Sequence, residues 1–569
     1  MTSLFYYRLH SFTLDKIMKK VQIPLFAAII MMAAACSPVQ ENNIFPAPLT
    51  EDHLLEHIEV LASDEFGGRT PGTIYEEMTV SYISGQFEQI GLEPGMPDGS
   101  FTQNVPLMGQ DTRNAELSLN STDETVGLQY LDDFMAWPAH IQESVSIRDA
   151  DLVYVGYGIE APEEDWDDFK GHDVEGKILV FKNYNPVTYE DRFDGGNRLY
   201  YGRWTYKFEQ AIEKGALGAI IIHTDETAGY GWDVVRNSWS LERFFVYDET
   251  GHNTEFEGWL THDQSEQLFQ MAGMDLDEML EAAENTDFEP VTLEGVSLDI
   301  DLSATYREIE GQNIVGKLPG SDPELKDEAV VFSAHHDHLG HGDPVQGDSV
   351  YNGAWDNASG VSKVINLARL YSEEPEEIRR TLYFVTVTAE ESGLLGSNYF
   401  AENPPVHAGK FSANINLDAS NIFGKTRDIV AIGYGRSDID DLLDEEAERL
   451  GRVVKPDPRP EQGLYYRSDH FSFARQGIPS IFPNPGSEFV DKPDNYNEQV
   501  EEYRSKIYHT VHDRIHDWWD LSGAVEDTKL MYRLGLRVAN ADEMRQWEPG
   551  GEFEQARLDA LEEAAMLDY

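Results

Sequence analysis

The sequence is poor in cysteine, in basic residues and in long apolar runs. Its 569 residues include one cysteine, Cys36, so an intramolecular disulfide is excluded and the fold must stand on its core or on bound metal. Lys and Arg number 43 against 104 Asp and Glu, a formal net charge of −61. No stretch supplies the basic footprint that a polyanion needs to release its counterions, which argues against nucleic acid as a partner. The acidic residues are dispersed and not gathered in a tail, a pattern that keeps a protein hydrated and suits a saline setting where self-repulsion is screened. No internal repeat of solenoid period is present, so a stacked-repeat architecture is not expected.

Against these absences stands a composition able to build a large core. Hydrophobic residues make up 41%, with 27 Tyr, 27 Phe and 10 Trp, unlike a disordered chain. The length points to two large domains.

The N-terminal segment reads as an export signal. Lys19 and Lys20 precede an apolar run from Val21 to Ala35 that ends in the small residues Ala33, Ala34 and Ala35, and the run is too short for a comfortable membrane span. The ending Ala-Ala-Ala-Cys resembles a bacterial lipoprotein signal, although that pattern usually has Leu where Ala33 stands. It implies lipidation of Cys36, anchoring to a membrane and a place in the cell envelope, with Ser37 favouring the outer membrane. The alternative is an ordinary cleaved secretory signal with an incidental Cys36, and either reading exports the protein. Met18 is a natural alternative start. Residues 37–48 have the polar, Pro-containing character of a tether.

Leu49 opens a helical pattern that Thr50 can cap, with Leu54, Leu55, Ile58 and Leu61 on one side, and a second amphipathic stretch carries Val80, Ile83, Phe87 and Ile90. The loop from Phe66 to Gly72 between them reads as structural. Residues 108–305 differ in character, with short Gly-bounded apolar runs at Leu152–Val155 and Ile178–Phe181 and a helix leading into Gly218–Ile222. That order resembles the protease-associated domain, a mainly-β insert of exported peptidases. From Gln312 onward strands and helices alternate, which predicts an α/β fold with a mixed sheet covered by helices on both faces. Strands are expected at Ile314-Val315, Val330–Ala334, Leu382–Thr388, Ile415–Asp418, Ile429–Gly433 and Ile481-Phe482, and Ser437 is expected to cap a helix containing Ile439, Leu442 and Leu443.

Metal-type side chains collect at the ends of these strands: His335, His336, Asp337 and His338 after Ala334, Asp356 before a helix, Glu390-Glu391 after the strand from Leu382, and Asp418 after Leu417. In an open α/β sheet the carboxyl ends of strands form the ligand crevice, so these junctions point to one place. Histidine and carboxylate donors without cysteine suit zinc in an N/O environment. The segments Ala334–Gly340, Gly353–Gly360, Ala389–Ser397, Asn416–Asp418 and Tyr508–Thr510 look like the motifs of the clan MH two-zinc aminopeptidases, of the bacterial leucyl aminopeptidase kind, in that family's order. Trp355 departs from the family, in which most members carry Asp at that position. The resemblance implies a catalytic domain over 49–107 and 306–569, interrupted by the insert at 108–305.

It also implies roles. His335 and Asp418 would complete one zinc, Glu391 and His509 the other, and Asp356 would bridge two Zn2+ per chain. Glu390 would be the general base, Asp337 would orient His335 through its other ring nitrogen, and Tyr508 would hydrogen-bond the oxyanion. Arg467 and Asp469 resemble a segment near the substrate pocket: Asp469 would support the substrate's amino group, or the two would form a structural pair. His336, His338 and His341 read as bystanders. The activity implied is removal of N-terminal residues from peptide substrates. The alternatives are a dipeptidase or carboxypeptidase on the same scaffold, or an inactive receptor-like surface protein.

Overall fold

The computed structural model describes residues 45–189, 192–240, 242–247, 254–374 and 377–567. The expected signal segment, Cys36 and the tether as far as residue 44 lie outside them. Among the described residues no helix is long and apolar enough to cross a membrane.

Alternation along the strand Ala329–His335 sets the layers. Val331 packs with Phe400 and Phe473, whereas its neighbour Phe332 lies 5.4 Å from the Tyr371 ring and 5.5 Å from Phe384. Successive strand side chains point to opposite faces, so helices must cover both. Leu395–Glu402 and His470–Arg475 cover the first face, and Ser359–Ser372 with Ser522–Asn540 the second. Ser359–Ser372 is buried along almost its whole length because the N-terminal helix Glu51–Leu61 packs over it, tied by Ser362 Oγ donating to the Leu54 carbonyl at 2.7 Å and Asn366 Nδ2 to that of His53 at 3.0 Å.

The sheet is 16-stranded among the described residues. The half built from residues 291–485 runs Val453–Pro456, Asp428–Ile432, Ser480–Pro485, Phe411–Asn416, Ala329–His335, Thr381–Val387 and Val291–Leu318. Thr381–Val387, Ala329–His335, Phe411–Asn416 and Ser480–Pro485 are mutually parallel, while Asp428–Ile432 and Val291–Leu318 join antiparallel. Parallel neighbours bring their carboxyl ends to one edge, and that edge carries the site.

Val291–Leu318 is the strand that unites the molecule. Its C-terminal end pairs with Thr381–Val387, and its earlier part with Ser144–Tyr154. It also pairs antiparallel with Thr102–Ser121, from Val296 opposite Ser121 to Ile314 opposite Thr102. The limits expected at 107/108 and 305/306 therefore fall inside two paired strands, and Ala47–Tyr569 forms one compact unit. Beyond Ser144–Tyr154 the sheet continues through Ile178–Lys182, Gly218–Ile222 and Phe256–Leu260, all parallel. The insert is richer in helix than a mainly-β reading allows, with Trp204–Glu213, His262–Met271 and Leu276–Ala282. Parallel strands need crossover connections, and helices supply them.

Two local expectations are corrected. The strand from Thr381 closes at Val387, which leaves Glu390 and Glu391 in the following turn. Asp438, not Ser437, precedes the helix Ile439–Arg449, and its side chain makes no capping bond.

Candidate active site

Five chain segments converge at the edge where the parallel strands end. His335 is the last residue of its strand and is 1% exposed. Asp418 follows Phe411–Asn416 by two residues, and Glu390 and Glu391 stand in the turn after Val387. Asp356 lies in the irregular turn before Ser359–Ser372, where the Asp356–Asn357 peptide is cis. His509 follows the helix Tyr496–Ile507 with a φ of 55°, a left-handed conformation that a non-glycine residue adopts only under tertiary constraint.

Asp356 is the centre of the cluster. Its Oδ1 lies 3.1 Å from His335 Nε2 and its Oδ2 3.2 Å from His509 Nε2. Asp418 Oδ1 is 3.5 Å and Glu390 Oε2 4.0 Å from His335 Nε2, while Glu391 Oε2 is 3.0 Å from His509 Nε2. His335 with Asp356 and Glu391, and His335 with Glu390 and Asp418, bring their donor atoms within 4.8 Å of one another. The sequence-predicted ligands are thus together, with one carboxylate facing a histidine on each side.

A metal fits this donor set. The Nε2 atoms of His335 and His509 are buried and face carboxylate oxygens without a well-aligned hydrogen bond, an arrangement that suits a shared cation. The electrostatics agree. Burial alone would lower the His335 pKa, but Glu390, Asp337, Asp356 and Asp418 outweigh it and raise it well above the ordinary value; Glu391 and Asp356 do the same for His509. Asp356 is held far below the usual carboxylate range because His335 and His509 override its burial, and Glu391 falls to about 2 largely through His509. Glu390 moves the other way: burial and the nearby Asp469, Glu391 and Asp418 push its carboxyl well up. So many buried carboxylates on two imidazoles call for more positive charge, which divalent ions supply.

The surrounding residues fix the ligands. Asp337 faces both His335 and the turn that carries Glu390 and Glu391. The nearest acceptor to His335 Nδ1 is the Asp337 carbonyl at 3.3 Å, with the carboxylate at 3.7 Å, and Asp337 Oδ1 and Oδ2 accept from the backbone of Glu390 at 3.0 Å and Glu391 at 3.3 Å. Ser468 Oγ donates to Asp418 Oδ2 at 2.7 Å and is itself held by Asn416. Tyr508 lies half exposed with its ring stacked on His509, 3.9 Å between centroids. Asp469 is fully buried beside the Ser397 hydroxyl, and burial lifts its pKa to about 7 against the opposing pull of His335 and Ser397. The structural-pair option is corrected: among the described residues Arg467 and Asp469 form no ion pair, and Asp469 is enclosed beside the cluster.

Three contributors escaped the sequence. His338, read as a bystander, is buried with Nδ1 2.7 Å from Glu391 Oε1. Arg69, from the loop read as structural, is fully buried and donates to the carbonyls of His336, Asn352, Gly353 and Leu61 at 2.6–2.9 Å. Asp513 accepts from the backbone of Trp355 at 2.8 Å and Asp356 at 3.0 Å, and burial raises its pKa to about 6. Trp355 itself donates to the Ser420 carbonyl at 2.8 Å, so the unusual residue is a wall of the loop and not a ligand. Only the His338 signal was available locally, as an imidazole three residues after a ligand.

Residues 313–532 match Peptidase family M28. The matched segment is similar to the M28 peptidases and makes up less than half of the chain. A probable leucine aminopeptidase of Arthroderma otae is 27% identical over 175 residues, 30% of this chain and 45% of that protein. Leupeptin-inactivating enzyme 1 of Streptomyces exfoliatus is 29% identical over 172 residues, 30% of this chain and 34% of that protein. The chain thus spans less than half the length of these curated relatives. An aminopeptidase from Aneurinibacillus sp. strain AM-1 shares the fold, with a TM-score of 0.50 at 19% identity over 88% of this chain and 94% of that one. The M28 match covers His335, Asp356, Glu390, Glu391, Asp418 and His509, whereas Arg69 and the insert lie before it.

Proposed function

We propose that the chain is an exported zinc aminopeptidase that removes N-terminal residues from peptides. The observation that carries this reading is the Asp356 carboxylate set between His335 and His509, with Glu390 buried beside them, inside the segment similar to the M28 peptidases. His335, Asp418 and Asp356 would hold one zinc, and Glu391, His509 and Asp356 a second. When bound, zinc supplies a Lewis acid that polarises the scissile carbonyl and lowers the pKa of a water.

The chain's own groups do the rest. Glu390 holds the proton taken from the water and returns it to the leaving amine, a task suited to a buried carboxyl whose pKa is raised. Asp337 keeps Glu390 and Glu391 in register through their backbone N–H groups. Asp469, enclosed beside the cluster with a raised pKa, receives the substrate's ammonium, and Tyr508 donates to the developing oxyanion. The protease-associated resemblance of 108–305 and a lipid anchor on Cys36 that places the protein in the cell envelope, at the outer membrane or facing the periplasm, belong to the same reading.

Mass-spectrometric product analysis of one peptide, free and N-acetylated, tests it on the zinc-loaded full chain. Loss of a single N-terminal residue from the free form only is the expected result. Cleavage of both forms would favour the dipeptidase or carboxypeptidase reading, and cleavage of neither would overturn the enzymatic one.

A further inference from the structure

The insert meets the catalytic domain beside the site, along a seam between residues 184–206 and 461–475. Tyr184 donates to the Glu461 carbonyl at 2.7 Å. The Tyr200 ring lies 5.2 Å from Phe471 and carries the Arg475 guanidinium 5.4 Å above it. Gly463 fits against Arg198 so closely that a Cβ there would fall 2.6 Å from Arg198 Cδ. On the insert side a cavity of about 970 Å³ opens with Arg198, Glu461 and Gln462 in its wall.

Two guanidinium groups at this seam lack an anion. Arg203 precedes the helix Trp204–Glu213, and Arg467 follows the turn Leu464–Tyr466. Arg467 is adjacent to Ser468, whose hydroxyl touches the candidate ligand Asp418 at 2.7 Å. Neither side chain has a hydrogen bond or ion pair among the described residues, in a chain whose net charge is −61. Arg198 beside them is spent on the Thr227 and Ala228 carbonyls and on the Tyr184 ring. Burial, with Arg467 and Arg198 close by, lowers the Arg203 pKa to about 10, and a guanidinium at that value remains charged at neutral pH. Like charges held together without a counter-ion are unfavourable, and a planar guanidinium pair matches a carboxylate in shape and charge.

We propose that Arg203 and Arg467 together receive a carboxylate of the peptide substrate, so that the insert shares in substrate selection. The inference rests on the aminopeptidase reading. The carboxylate is either the C-terminus of a short peptide or an acidic side chain next to the scissile bond, and the two sources are separable.

The test compares kcat/KM for two substrate pairs on the zinc-loaded full chain: Leu-Gly-Gly against its C-terminal amide, and Glu-Gly-Gly amide against Gln-Gly-Gly amide. The carboxylate-bearing member of one pair is expected to be favoured about tenfold or more, mostly through KM. The first pair would identify the C-terminus, the second the side chain. Arg203→Met and Arg467→Met should each bring the ratio towards one, Arg467→Lys should keep part of it, and Arg467→Glu should invert it. Turnover of all four peptides with both ratios near one in the unsubstituted protein would overturn the proposal. So would a ratio that survives both Met variants. Turnover of none would instead overturn the aminopeptidase reading, and the inference with it.

Discussion

Two sets of parallel strands share one sheet, and their carboxyl ends do different things. In the half that carries the candidate site, Ala329–His335, Thr381–Val387 and Phe411–Asn416 deliver His335, Glu390, Glu391 and Asp418 to one point. In the insert, Ile178–Lys182, Gly218–Ile222 and Phe256–Leu260 open on a cavity with Asn183, His223 and Thr261 in its wall, and no metal-type cluster forms there among the described residues. Part of the insert's buried charge is compensated internally. Lys207 is fully buried and donates to the Tyr157 and Tyr184 carbonyls at 2.7 and 2.9 Å, close enough to the buried Asp168 for each to influence the other. The same topology thus provides a crevice twice. What occupies the crevice depends on whether its carboxylates and imidazoles find protein partners or are left for a ligand.

The comparison can be broken from either side. The largest effect belongs to Asp356→Ala, which removes the carboxylate facing both histidines: metal content should fall, and turnover should drop by on the order of 10³-fold or more. Metal analysis beside hydrogen exchange of the insert checks this, and the insert should be unchanged. Glu390→Gln should keep the metal yet lose about 10²- to 10⁴-fold in kcat; an active variant would sink the general-base role.

Arg69→Met and Lys207→Met should each cost about 3–5 kcal/mol, since each removes a buried donor and strands the carbonyls it serves. Urea unfolding measures both, and metal affinity separates them: it should weaken only for Arg69→Met, which holds the His336 and Gly353 carbonyls beside the ligands.

The smallest effect is a pH dependence. Burial holds the His57 pKa at about 4 against an ordinary 6.5, so the unfolded chain binds the extra proton between those values. The stabilisation is complete above about pH 6.5 and is lost as pH falls towards 4. Acidification from pH 7 to 5 should cost about 2 kcal/mol, and His57→Gln, which loses this contribution, should show a correspondingly flatter profile.

Four of the five ligands, His335, Asp356, Glu391 and Asp418, were readable because each sits near a visible strand or helix boundary, whereas His509 came only with the family resemblance. Their pairing was carried by the family resemblance, not by spacing. Arg69 was invisible because its four acceptors are backbone carbonyls, three of them more than 260 residues away, and a carbonyl has no sequence signature. Asp513 was missed for a similar reason, as it reaches the backbone of Trp355 and Asp356 from a loop. The insert's helices were underestimated because its strands are short and Gly-bounded, and only their parallel pairing requires the crossovers.

The sequence by itself determined the donor chemistry, the α/β alternation and the acidic, disulfide-free character, since each of these depends on residue type and local order. Only the tertiary structure decided that Asp356 stands between two histidines, that His338 supports Glu391, and that Arg203 and Arg467 meet at one seam without a counter-ion. Those outcomes depend on distances between segments far apart in the chain, and burial sets how strongly the charges at those distances act on one another.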